Sequence, residues 1–217
     1  MSPEKIFQIA VQIVVLLFAV SFHESAHGYV AMKCGDNTAR DLGRITMNPL
    51  KHIDPFGSIL LPLMLAIGGL PIFGWARPVP ISLQGVPNPR RANLLISAAG
   101  PLSNFVLAGA FTGVVMLLRP FVHADDPGSV MHPLLLVAIL SVLINVSLGI
   151  FNLFPIPPLD GFGVLESLMP ARFYPVAQWL RRYGIVIFIL AIYTGVIRKV
   201  MGPAQMFLFH WLLGGSS

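Results

Sequence analysis

Apolar residues run almost unbroken from Ile6 to Met32, from Ala92 to Leu118, from Pro133 to Phe154 and from Tyr183 to Val200. A helix of about 20 apolar residues crosses a bilayer, so each run predicts a membrane span. Phe56 to Phe73 is apolar too, but Pro62, Gly68, Gly69 and Pro71 break it. That pattern predicts a re-entrant segment, which a membrane tolerates only where the freed backbone groups face protein or water. Gln205 to Leu213 reads as a short apolar tail. Between the runs lie polar stretches: Lys33 to Asp54, Ala76 to Arg91, Arg119 to His132, and a region marked by Arg172, Arg181 and Arg182. In the first of these, "GRITMN" (Gly43 to Asn48) alternates and carries β-branched residues, which predicts a short strand. Ala76 to Arg91 is predicted non-helical, because Pro78, Pro80, Pro87 and Pro89 interrupt any helical ladder. The predicted fold is an all-α polytopic membrane protein. It is a helical bundle of about four to six membrane segments with a small β-hairpin/re-entrant region near the cytoplasmic face. No repeat, linker or soluble domain is visible, so residues 1–217 read as a single membrane-embedded domain.

Composition agrees with this pattern. The chain is 55% hydrophobic and only 11% charged, where a soluble domain carries roughly 25% charged residues. The net charge of +5 could point to nucleic acid. The cations, however, sit between apolar runs rather than among exposed aromatics, so the expected partner is the lipid bilayer and no nucleic acid. Placing the three basic stretches in the cytoplasm makes Phe56–Phe73 re-entrant and puts the N-terminus outside. Arg198 and Lys199 then fall on the outer side. If Phe56–Phe73 crosses fully instead, Arg77, Arg90 and Arg91 lie outside. Cys34 is the single cysteine, which excludes an internal disulfide and a cysteine-rich zinc site. Met1 to Ser21 has features of a signal peptide, but the apolar run continues past it into a polar cluster.

That cluster, "HESAH", is His23, Glu24 and His27 in H-E-x-x-H spacing. On a helix, positions i and i+4 share a face. Two imidazoles so placed can hold one Zn²⁺, with Glu24 beside them as a general base. Ligation also explains why such polar groups stand in an apolar span, where they are costly unless paired. The competing reading is a pair of helix histidines satisfied by their neighbours.

A catalytic zinc needs a third protein ligand and an open position for water. Glu4, Asp36, Asp41, Asp54, Asp125, Asp126 and Glu166 lie in loops or at exposed ends. Asp160 differs, because it follows an apolar span in "FNLFPIPPLDGFG". Pro155, Pro157 and Pro158 break the helix there, and Gly161 permits an unusual turn, so the carboxylate can be aimed back into the bundle. Its alternative role is an N-cap for the following segment.

The motifs "HESAH" (His23–His27), "AAGPLSN" (Ala98–Asn104) and "NLFPIPPLDG" (Asn152–Gly161), in that order on three successive spans, resemble the site-2 protease family of intramembrane zinc metalloproteases. "NPLKHIDPFGS" and "GWARPVPI" are similar to the segment connecting the first two. The resemblance covers Val14 to about Met169. It implies one Zn²⁺ per chain on His23, His27 and Asp160, with Glu24 as catalytic acid/base and Asn152 binding substrate near the metal. It further implies a multi-pass protein of a bacterial cell membrane that cleaves a transmembrane segment of a protein substrate with the active site towards the cytoplasm. The chain is too short for an added PDZ or CBS domain, so it resembles the minimal, core-only branch. Oligomeric state, substrate and regulatory partner are not legible.

Other residues invite weaker roles. Asn152 could donate to a substrate backbone or a developing oxyanion, or satisfy a local helix end. Asn104, among the small residues Ala98, Ala99, Gly100 and Ser103, suggests helix packing. His52 suggests a structural role, and His123, His132 and His210 have no partner motif. An exposed edge of the predicted sheet could hold an unwound substrate by main-chain hydrogen bonds. A membrane zinc transporter and a catalytically silent adaptor are the rival classes. Clustering of the polar groups at one level argues against the first, and the intact Glu24 argues against the second.

Overall fold

The computed structural model of the chain describes residues 2–60, 64, 76–122 and 129–213. Helix α1 runs Pro3–Lys33. It starts where the Ser2 side chain accepts from the Lys5 N–H (3.4 Å), as N-cap serines do. It ends before Gly35, whose φ of 106° suits only glycine. A short helix α2, Thr38–Asp41, follows. Helix α3, Pro89–Leu118, begins where the Asn88 side chain accepts from the Arg91 N–H (3.0 Å). Helices α4 (Met131–Asn152), α5 (Asp160–Leu168), α6 (Tyr174–Tyr193) and α7 (Val196–Leu213) follow.

Among the described residues, four helical stretches are long and apolar enough to cross a membrane: Glu4–Lys33, Pro89–Phe121, Met131–Asn152 and Ala171–Tyr193. Helix α3 is the centre of the bundle and packs against α1, α4 and α5. The core between α3 and α4 is Ala108, Val115, Ala138, Val142 and Val146, closed on one side by Leu208 and Phe209 of α7. Facing outward on α1 are Ile6, Phe7, Ile9, Ile13, Val14 and Leu16. An apolar belt of that extent is not sustainable in water and suits lipid.

The architecture departs from the predicted one at the strand, the fourth span, the tail and the start of α3. No β-strand or hairpin occurs among the described residues. The "GRITMN" carbonyl that would pair across a sheet, that of Thr46, accepts instead from Ser25 Oγ (2.7 Å) and His52 Nε2 (2.9 Å). Side chains from α1 and from the following turn therefore take the place of a partner strand. The re-entrant prediction lies largely outside the described residues; of Phe56–Phe73, the start forms part of a π-helical turn over Pro55–Leu60, and Met64 is the one further residue described. The fourth span ends at Tyr193 rather than Val200, because Gly195 takes φ +71° and stops the helix. The predicted tail is the second half of α7, which packs on α4. Ala76–Asn88 is non-helical as predicted, but Pro89 opens α3, where a proline is tolerated because the first-turn N–H has no partner in any case.

Candidate active site

His23 and His27 lie one turn apart on α1, both buried. Asp160 is the first residue of α5. The turn Leu153–Leu159 swings α5 back against α3, and Gly161 makes this possible. A Cβ there would overlap the carbonyl of Leu153 at the end of α4. Asp160 Oδ2 comes to 3.1 Å from His23 Nε2 and 3.3 Å from His27 Nε2, and the two Nε2 atoms are 3.0 Å apart. Among the described residues, these three are the one group of His, Cys, Asp or Glu side chains arranged to hold a metal.

The surrounding bonds determine what the ring nitrogens offer. His27 Nδ1 sits 2.7 Å from the Ile96 carbonyl, which can only accept, so Nδ1 carries the proton. His23 Nδ1 sits 2.7 Å from Asn104 Oδ1 and is likewise the donor. Among the described residues, both Nε2 lone pairs therefore lack a donor, and both face Asp160 Oδ2, a buried oxygen that likewise has none. Three electron-rich atoms about 3 Å apart repel one another unless a cation lies between them. Ligands about 2.0–2.1 Å from a tetrahedral zinc are about 3.3 Å apart, so the spacing fits that ion. Gly100 of α3 keeps the space clear. A Cβ there would stand 2.6 Å from His23 Nε2 and would overlap His27 Nε2. The N-cap alternative for Asp160 does not apply, since Leu159 occupies the cap position and no side chain caps α5.

Glu24 is half-buried, and its Oε2 accepts from the Val79 N–H (2.8 Å). Oε1 accepts no hydrogen bond among the described residues. Val79 belongs to a non-helical strap, residues 76–83, pinned along its length. Arg44 Nη2 donates to the carbonyls of Arg77 (2.9 Å) and Pro78 (3.2 Å), and the Arg77 N–H donates to the His52 carbonyl (2.8 Å). The Ser82 N–H donates to Asp36 Oδ2 (2.7 Å). Gly28, one turn beyond Glu24, lets Val79 and Ile45 lie directly on α1, within 3.1 Å of where its Cβ would be.

Asp36 makes the strap's attachment pH-dependent. Burial pushes its carboxyl up, but the Thr38 hydroxyl and the Ser82 and Thr38 amides outweigh this and hold the pKa below the ordinary carboxylate value. A depressed carboxyl pKa contributes stability above the unfolded pKa of about 3.9, and the contribution is lost as pH falls through the folded value. The melting temperature is therefore expected to drop on the acid side, and Asp36→Asn should flatten that drop. An identical acid slope in the two proteins would remove Asp36 from the account.

The remaining predicted residues fall away from the convergent group. Asn152 is half-buried at the end of α4, and its Nδ2 donates to the Leu148 carbonyl (3.0 Å), a local helix-end bond. His52 is buried and braces the Thr46 turn. His132 and His210 join no metal-holding group, and His123 lies outside the described residues. Asn104 is the residue whose role sequence reasoning missed. It is fully buried, and its bond to His23 makes it more than a packing residue. An amide in an apolar span is costly without a specific partner, and that was the available signal.

The sequence matches Peptidase family M50 over residues 11–126 and 121–192. It is 37% identical over 201 residues to "Putative zinc metalloprotease YwhC" of Bacillus subtilis, covering 88% of this chain and 84% of that protein. It is 30% identical over 184 residues to "Putative zinc metalloprotease Rip2" of Mycolicibacterium smegmatis, covering 84% of this chain and 66% of the relative. "Zinc metalloprotease MJ0392" of Methanocaldococcus jannaschii is 27% identical over 165 residues, 76% of this chain and 36% of that protein. No solved structure matches the chain.

Proposed function

The chain belongs to peptidase family M50, and from that premise we propose that it is an intramembrane zinc endopeptidase of the site-2 protease type, cutting a membrane-spanning segment of a protein substrate. The observation that carries the reading is the convergence of His23 Nε2, His27 Nε2 and Asp160 Oδ2 beside Glu24, inside an apolar bundle. His23 lies ten residues from the end of α1 and Gly100 eleven from the start of α3. At 1.5 Å per residue both distances are about 15 Å, half the thickness of the hydrocarbon core. Lys33, Arg90 and Arg91 flank these same helix ends, which supports a site reached from the cytoplasmic side. Residues 1–217 act as one membrane-embedded domain.

His23, His27 and Asp160 hold one zinc per chain. When bound, the ion lowers the pKa of water and polarises the scissile carbonyl. Glu24 Oε1 takes a proton from the attacking water and passes it to the leaving amine nitrogen. The Val79 N–H keeps the other carboxylate oxygen fixed, so the base stays oriented while Oε1 works. A peptide bond within a helix has its N–H and C=O committed to the ladder, so the substrate must be unwound at the site. Asn152 meets the opened backbone, its Oδ1 being free of bonds among the described residues.

The test is incubation of the purified protein with single-span membrane proteins in liposomes, with and without a zinc chelator. Cleavage within the span that the chelator stops and zinc restores is the expected result. Zinc flux without cleavage would support a transporter instead, and neither activity would support a silent adaptor.

A further inference from the structure

We infer that Asn145, on α4, is a positioning residue that fixes which nitrogen of His23 carries the proton. The inference rests on the metal reading of His23, His27 and Asp160. Asn145 is 1% exposed and Asn104 is 0% exposed, so neither amide has water as an alternative partner. Asn145 Nδ2 donates to the Ser141 carbonyl (2.9 Å). A backbone carbonyl accepts only, so this bond decides the orientation of the amide and turns Oδ1 towards α3. There Asn145 Oδ1 accepts from Asn104 Nδ2 (2.9 Å). That bond in turn orients Asn104, whose Oδ1 is left facing His23 Nδ1 at 2.7 Å. An amide oxygen cannot donate, so Nδ1 must carry the proton and Nε2 must present its lone pair.

The polarity of a ligand on α1 is thus set from α4, through α3, by a relay of two asparagines anchored on one peptide carbonyl. The second ligand needs no relay, because His27 Nδ1 donates directly to the Ile96 carbonyl. Without Asn145, Asn104 Nδ2 keeps only a long contact to the Ala19 carbonyl (3.4 Å). Its amide can then turn and offer N–H to His23, which favours the wrong tautomer. Groups that orient a metal's ligands in this way are typically worth about 10–100-fold in metal affinity.

The experiment is competition for zinc between a chromogenic chelator and the purified protein in detergent. Asn145→Ser is the informative variant. Its hydroxyl can bond the Ser141 carbonyl on its own helix but is too short to accept from Asn104. Asn145→Asp is the conservative one. A carboxyl kept neutral by apolar surroundings donates to Ser141 and accepts from Asn104, as the amide does. Zinc Kd is expected to rise at least about 10-fold in Asn145→Ser and to stay within about threefold of the parent in Asn145→Asp. Because Asn145 acts through Asn104, adding Asn145→Ser to Asn104→Leu should cost no further affinity. Unchanged Kd in Asn145→Ser, or additive losses in the double variant, overturns the relay and leaves the metal reading standing. A parent protein that binds no zinc overturns both.

Discussion

A Glu24→Gln chain is expected to hold as much zinc as the parent and to cut substrate at least about 10²-fold more slowly, roughly 2.7 kcal/mol in the barrier. Gln has nearly the same shape as Glu, and its side-chain oxygen can still accept from the Val79 N–H that Glu24 holds at 2.8 Å. The strap therefore stays in place, and neither histidine loses its Nδ1 partner. What disappears is the capacity to accept a proton at neutral pH. The variant should still bind substrate and so trap an uncut complex. The measurement is paired, with metal content and cleavage rate taken on one preparation. Near-normal proteolysis with zinc in place would overturn Glu24 as the base.

The second large effect concerns the metal. Replacing His23, His27 or Asp160 by Ala removes one of three donors about 3 Å apart, and each variant is expected to lose bound zinc and all cleavage. Gly100→Ala should do the same without removing a donor. Its Cβ would clash with both Nε2 atoms and fill the space proposed for the ion, while alanine itself favours the helix. The prediction is zinc-free, inactive protein with parental helix content by circular dichroism. Full zinc occupancy in Gly100→Ala would mean that α3 does not pack where the structure has it. Full occupancy in Asp160→Ala would take Asp160 out of the ligand set.

Much of this was legible along the chain because membrane burial and helix periodicity are local properties. Twenty apolar residues declare a span without reference to anything else, and the i, i+4 spacing puts His23 and His27 on one face wherever the helix goes. The helix ends were less legible. Ser2 and Asn88 accept from first-turn amides and Pro89 takes the first turn of α3, yet the apolar runs placed those helix starts at Ile6 and Ala92, and the break between α6 and α7 depends on the positive φ of one glycine, Gly195, among twenty.

The failures share a cause. "GRITMN" has the alternation of a strand, but a strand needs a partner, and whether one exists is a tertiary fact. Here Ser25 and His52 take the Thr46 carbonyl, and Arg44 turns inward to hold the strap. Asn104 reads equally well as helix packing or as a ligand's partner until its neighbour across the bundle is known to be His23. Three spans and the zinc-capable residue types could be read along the chain, because apolar run length and i, i+4 spacing are local, and the family was carried by the resemblance of three motifs in order. Packing between segments distant in the chain is what returns Asp160 to within 3.3 Å of both imidazoles. It alone decided that Gly100 leaves room there, and that two buried asparagines on other helices set the proton on His23. Those contacts join residues 41 to 137 positions apart, and their geometry comes from how the helices pack, which no local pattern encodes.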